Sequence, residues 1–149
     1  MRYFQVLDEI TRMLRFRSIY DGAGNEYVVY AHDRTFEGGG VKTSKPIEDR
    51  TGFEAVHNHE HFGPIVRDDD DVELLKPIVE TLADMMLLKL KASYPQKDFC
   101  VYISLKKYDN LIIRFHQVWA GELPYYEMPW TEEGVYLVGR TSCADGFAR

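Results

Sequence analysis

The sequence predicts an α+β domain: a mainly antiparallel sheet of about five strands packed against two helices. Three observations point to this class. Two stretches carry apolar residues at three-and-four spacing. Several others alternate or are rich in β-branched and aromatic residues. They run helix, strands, helix, strands, which is not the βαβ alternation of a parallel sheet. The chain has 149 residues with no internal repeat or Pro/Ser-rich linker, so one α+β domain over residues 1–149 is expected.

Each element has a local cause. Residues 2–16 form an amphipathic helix pattern, with Tyr3, Val6, Leu7, Ile10, Met13 and Leu14 on one face. Asp21, Gly22, Gly24 and Asn25 supply a turn. Glu26 to Ala31 reads as a strand, and Gly38, Gly39 and Gly40 as a loop or hairpin tip. Thr51 to His57 reads as a short strand that enters a histidine-rich loop. Asp68 to Asp71 open the longest helix, because free N–H groups and the helix dipole at an N-terminus favour carboxylates. Leu75, Ile78, Val79, Leu82, Met85, Met86 and Leu90 mark its apolar face. Pro77 is expected near its first turn or at a kink, and Pro95 stops it. Residues 99–105 and 111–119 alternate about a turn at Tyr108, Asp109 and Asn110, which predicts an antiparallel hairpin. Residues 135–139 are the expected last strand.

Composition excludes several classes. The apolar fraction is 45% and the charged fraction 28%, values of a globular chain and not of a disordered or fibrous one. No apolar run approaches the roughly 20 residues that span a bilayer, so no membrane role is expected. Met1 is followed by polar and charged residues, not by a signal-peptide core, which makes the cytoplasm the expected compartment. Cys100 and Cys143 are far apart, and Cys100 sits in a strand pattern as a small core residue. A net charge of −6 repels phosphate backbones, so no nucleic-acid partner is expected. The same charge favours a basic protein partner.

Three of the five histidines, His57, His59 and His61, fall within one short segment. On an extended chain, alternate residues face one way, and three imidazoles on one side suit Zn²⁺, with an oxygen ligand from Glu60 or one of the aspartates. The spacing of His57, His59 and Asp70 resembles the H-x-H…Asp motif of the JAB/MPN zinc isopeptidases, although Arg67 stands at that family's serine position. The resemblance implies a zinc-dependent hydrolase whose upstream glutamate, here Glu26, acts on the metal-bound water. On this alternative zinc is the cofactor; otherwise none is expected.

The leading expectation is different. Asp68, Asp69, Asp70, Asp71 and Glu73 exceed what one helix cap requires, and clustered carboxylates steer a cationic partner. Tyr125, Tyr126 and Trp130 lie in an aromatic segment, and Tyr and Trp are enriched in binding hot spots. No nucleophile elbow, P-loop or dinucleotide fingerprint occurs in the sequence. A small acidic domain with these surfaces is similar in general type to the immunity proteins that neutralise basic toxins, and such an inhibitor is the function expected here.

Overall fold

The computed structural model describes residues 2–36, 38–41, 46–126 and 135–141. Along them run α1 (Arg2–Met13), β1 (Phe16–Tyr20), β2 (Glu26–Tyr30), α2 (Arg50–His57), β3 (His59–Ile65), α3 (Asp69–Ser93), β4 (Phe99–Lys106), β5 (Asn110–Gln117) and β6 (Val135–Thr141). The fold is α+β and every strand pairing is antiparallel. The strands are divided between a two-stranded sheet, β1–β2, and a four-stranded sheet in the order β3–β5–β4–β6.

The division corrects the single sheet expected from sequence, and it has a physical cause. The edge of β2 that faces away from β1 is satisfied by side chains of α2. Val28 N donates to Glu54 Oε1 at 2.8 Å, and Asn58 Nδ2 donates to the Val28 carbonyl at 2.8 Å. On the other side, Gln117 N donates to Glu54 Oε2 at 2.7 Å and Phe115 N to the Asn58 carbonyl at 3.2 Å. Glu54 and Asn58 therefore occupy the place that a strand would fill between β2 and β5, and the backbone polar groups remain paired without a continuous ladder.

Residues 50–57 are a helix, not the expected strand. Asp49 caps it by accepting from Gly52 N at 2.7 Å. Glu122 reaches in from the chain after β5 and accepts from Thr51 N at 2.7 Å and Arg50 Nε at 2.6 Å. The buried face of α2 is Thr51, Glu54 and Ala55, followed by Asn58 at the C-cap. That face has helical period but is mostly polar, so an apolar-periodicity reading misses it. At the N-terminus the expected helix also ends earlier. Phe16 starts β1, whose partners run from Phe16↔Tyr30 to Tyr20↔Glu26.

The long helix is present. Asp68 caps it by accepting from Asp71 N at 2.9 Å, and Tyr94 N closes it onto the Leu90 carbonyl at 2.8 Å, just before Pro95. Pro77 lies inside the helix, beyond its first turn, and Thr81 Oγ1 donates to the Pro77 carbonyl at 2.8 Å. Val79, Leu82, Ala83, Met86, Leu87 and Leu90 bury against Val101, Ile103, Leu105, Ile113 and Phe115 of the large sheet. Ile78 and Met85, read from sequence as part of this face, are instead 58% and 44% exposed.

β4 and β5 form the expected hairpin, from Phe99↔Gln117 to Ser104↔Ile112. Its turn holds Tyr108 at φ 64°, a left-handed conformation that costs a non-glycine residue about 1 kcal/mol or more. Two backbone bonds hold it there: Tyr108 N to the Val66 carbonyl at 2.6 Å, and Val66 N to the Asp109 carbonyl at 2.9 Å. This clamp sets the hairpin tip beside the start of α3. No helix among the described residues is long and apolar enough to cross a membrane.

Candidate functional site

The histidine cluster divides at the α2–β3 junction. His57 ends α2, and its ring packs against Phe36 and Phe53 at centroid distances of 4.7 and 4.6 Å. Burial holds its pKa below the ordinary value, so the ring is neutral at pH 7. His59 and His61 are in β3 and share one face of the strand, with ring centroids 5.6 Å apart. His59 Nδ1 lies 2.7 Å from the Val56 carbonyl and donates to it. Asp70 belongs to the first turn of α3. Among the described residues no group of three or more His, Cys, Asp or Glu is placed to hold a metal ion. The expected set His57, His59, His61 and Asp70 is therefore not assembled, because a helix terminus replaces the extended chain that would have aligned the three rings.

Glu26 stands at the start of β2, as expected, but its carboxylate is engaged. Ser18 Oγ donates to Oε1 at 2.6 Å and Lys97 Nζ approaches Oε2 at 3.2 Å. The Ser18 hydrogen bond, aided by Lys97 and opposed by burial, holds its pKa below the usual carboxylate range. These partners are those of a structural ion pair, not of a base poised over a metal-bound water.

The histidine that forms a carboxylate pair is one the sequence reading passed over. His32 Nε2 lies 2.6 Å from Glu60 Oε1. The pair borders a cavity of about 80 Å³ with Glu9, Arg12, Met13 and His61.

The acidic run is exposed and partly neutralised in place. Asp68 is the cap; Asp71 pairs with Arg67 at 3.1 Å, Asp69 with Lys107 at 2.7 Å, and Glu73 with Lys76. Asp70 is exposed and makes none of these contacts. Lys107 and the 80% exposed Tyr108 come from the hairpin tip, so carboxylates, a lysine and a tyrosine share one end of the molecule.

A second surface lies on the sheet face away from α3. Arg114 on β5 donates from Nη1 to the Ala55 carbonyl at 2.7 Å, and its guanidinium sits 4.6 Å from the Tyr125 ring centre. Tyr125 and Tyr126 meet edge to face at 4.8 Å, and Tyr126 meets Tyr102 in the same way at 5.1 Å. His116 supports them from below. Its Nδ1–H donates to the Gln117 carbonyl at 2.6 Å, which leaves Nε2 to accept from Tyr125 N at 3.3 Å and Tyr102 Oη–H at 3.3 Å. Burial pushes the His116 pKa down, which keeps the ring neutral and this tautomer in place. Tyr125 and Tyr126 thus form a platform over Arg114, while Trp130 lies outside the described residues.

Sequence reasoning also missed Glu54. It is fully buried and accepts four hydrogen bonds, the last two from Gln117 Nε2 at 2.6 Å and Trp119 Nε1 at 3.0 Å. Burial raises its carboxyl to about 7, against the pull of the four donors. Its one sequence signal is an acid between Phe53 and Ala55, at i+3 from Thr51.

Comparison of the chain with protein-family models, with curated proteins and with solved structures finds no match.

Proposed function

We propose that this chain is a non-enzymatic protein-binding domain, an inhibitor of the immunity type, whose partner is a basic protein. The observation that supports this most is the arrangement at the start of α3. Asp68, Asp69 and Asp70 are exposed, and the helix cap holds their backbone in place before any partner arrives. The one cation paired with them, Lys107 on Asp69, belongs to an exposed pair of the kind worth about 0–1 kcal/mol, so an incoming Arg or Lys can replace it at little cost. Such a patch raises the association rate of a cationic partner. Tyr125 and Tyr126 lie on the other surface, the sheet face away from α3, where their rings are aromatic anchors of the kind that slow dissociation. Inhibition follows when the domain covers the partner's active groove.

The zinc-hydrolase alternative has no comparable support, since His57 packs among aromatic rings and Glu26 is held by Ser18 and Lys97. The test is capture from source cells with wild type and with Asp69→Lys/Asp70→Lys, followed by assay of the captured protein's activity. A basic protein that binds wild type is expected to be inhibited by it. It should associate about 10–100 times more slowly with the double variant at low salt. If the variant retains the same partner at the same rate, or wild type leaves that partner's activity unchanged, the reading is wrong.

A further inference from the structure

α3 is apolar on two sides. One side carries the core residues Val79, Ala83, Met86 and Leu90. The other carries Leu74, Ile78, Met85 and Leu88, which are 69%, 58%, 44% and 72% exposed. With the exposed Thr81 between them, these positions step by four, three, four and three residues, the 3.5-residue period of a coiled-coil seam. At 1.5 Å per residue the seam is about 21 Å long. A helix that is solvated on its outer side has no need of such a stripe.

The order of residues in the seam identifies what covers it. Read from either end it is nearly the same: leucine, a mid-sized apolar residue, Thr81, a mid-sized apolar residue, leucine. A two-fold interface requires this property, because each residue must meet its symmetry partner's counterpart. With Thr81 on the axis and the helices antiparallel, Leu74 faces Leu88, Ile78 faces Met85, and Thr81 faces itself. Charge selects the same direction. The first turns of α3 are acidic, with Asp69, Asp70, Asp71 and Glu73, while Lys89 and Lys91 are near its end. Antiparallel pairing sets the acidic start of α3 beside the basic end of the other copy's helix, whereas parallel pairing stacks acid on acid.

We propose that the outer face of α3 docks on the same face of a second copy of this chain, forming an antiparallel two-fold dimer centred on Thr81. The pairing uses a surface on the far side of α3 from the sheet and holds whether or not a basic partner binds.

Sedimentation over a concentration series, from low micromolar upward, tests the assembly. Wild type is expected to pass from monomer to dimer. Ile78→Glu should weaken the dimer about 100-fold while leaving the circular dichroism unchanged, because the side chain is already solvated in the monomer. Lys89→Glu should weaken it less. Disulfide trapping, in a Cys143→Ser background, tests the geometry. Two cysteines bridge only when their Cα atoms lie within about 7 Å, so Thr81→Cys should form a covalent dimer under mild oxidation and Leu74→Cys should not. A wild type that stays monomeric throughout the series overturns the proposal. So does a Leu74→Cys chain that crosslinks to itself as readily as Thr81→Cys, since that result reports parallel helices.

Discussion

The two faces of β2 meet two differently built parts of the molecule. Val28 and Tyr30 enter the main core, with α3 and the large sheet. Tyr27 and Val29 face the other way, into a smaller cluster with Ile19 and Phe36, packed by Phe53 and Trp119. The main core is held by apolar area: Phe115 meets Tyr30 at 4.9 Å and Phe16 at 5.2 Å, both edge to face. The second side is bracketed by polar groups. Glu54 ties β2, β5 and Trp119 together, and Arg50, stacked 4.4 Å over the Trp119 ring, connects to Glu122. One region is stabilised by many interchangeable contacts. The other depends on a single carboxylate that four donors address, so its stability responds to pH and to one atom's replacement.

The contrast is sharpest at Glu54 itself. Glu54→Ala removes the acceptor of four hydrogen bonds, two of them from the buried backbone N–H groups of Val28 and Gln117, and is expected to cost about 4 kcal/mol or more, read by urea denaturation. Glu54→Gln keeps the shape but presents an NH₂ to donors at one end, for a loss of about 2–3 kcal/mol. In the main core, Leu90→Ala should cost about 3 kcal/mol, with the same loss at pH 5 and pH 8. A Glu54→Ala loss well below that of Leu90→Ala would break the distinction between the two regions.

The pH dependence sharpens it further. A carboxyl whose folded-state pKa rises from its ordinary 4.5 to about 7 binds its proton more tightly in the folded state. Its stabilising contribution is full below pH 4.5 and declines as pH rises through 7, by about 3 kcal/mol. Glu26 and Glu122, whose pKa values are held down, act oppositely: their contribution is present at neutral pH and is lost on acidification. The difference in unfolding free energy between wild type and Glu54→Gln, measured from pH 5 to pH 8, isolates Glu54. Wild type's advantage should shrink as pH rises, and a flat difference would show that the carboxyl keeps its ordinary titration. The smallest effect belongs to the surface: Asp69→Lys/Asp70→Lys should change stability by no more than about 0.5–1 kcal/mol while slowing partner association.

The same contrast marks where the sequence was legible. β4, β5 and α3 were read close to their observed bounds because their apolar periods match their buried faces. α2 was misread because its buried face is Thr51, Glu54 and Asn58, polar residues whose partners lie across the chain at Val28, Phe115, Gln117 and Glu122. In α3, adjacent apolar positions merged two opposite faces into one, since spacing alone does not say which stripe meets the sheet. The candidate surfaces divide in the same way. The acidic run and the Tyr125–Tyr126 pair were visible as composition, whereas Arg114 and His116 beneath the tyrosines were not singled out as their support.

The α+β class, the hairpin of β4 and β5, the capped start of α3 and the acidic surface were all legible along the chain. Local periodicity, capping chemistry and net charge are properties of neighbouring residues and need no distant partner. Only the fold divides the strands into two sheets, packs the His57 ring against Phe36 and Phe53, and makes Glu54 a buried acceptor. Each of those outcomes depends on which backbone donors and aromatic rings a distant segment brings within hydrogen-bonding or packing distance, and spacing along the chain carries no record of it.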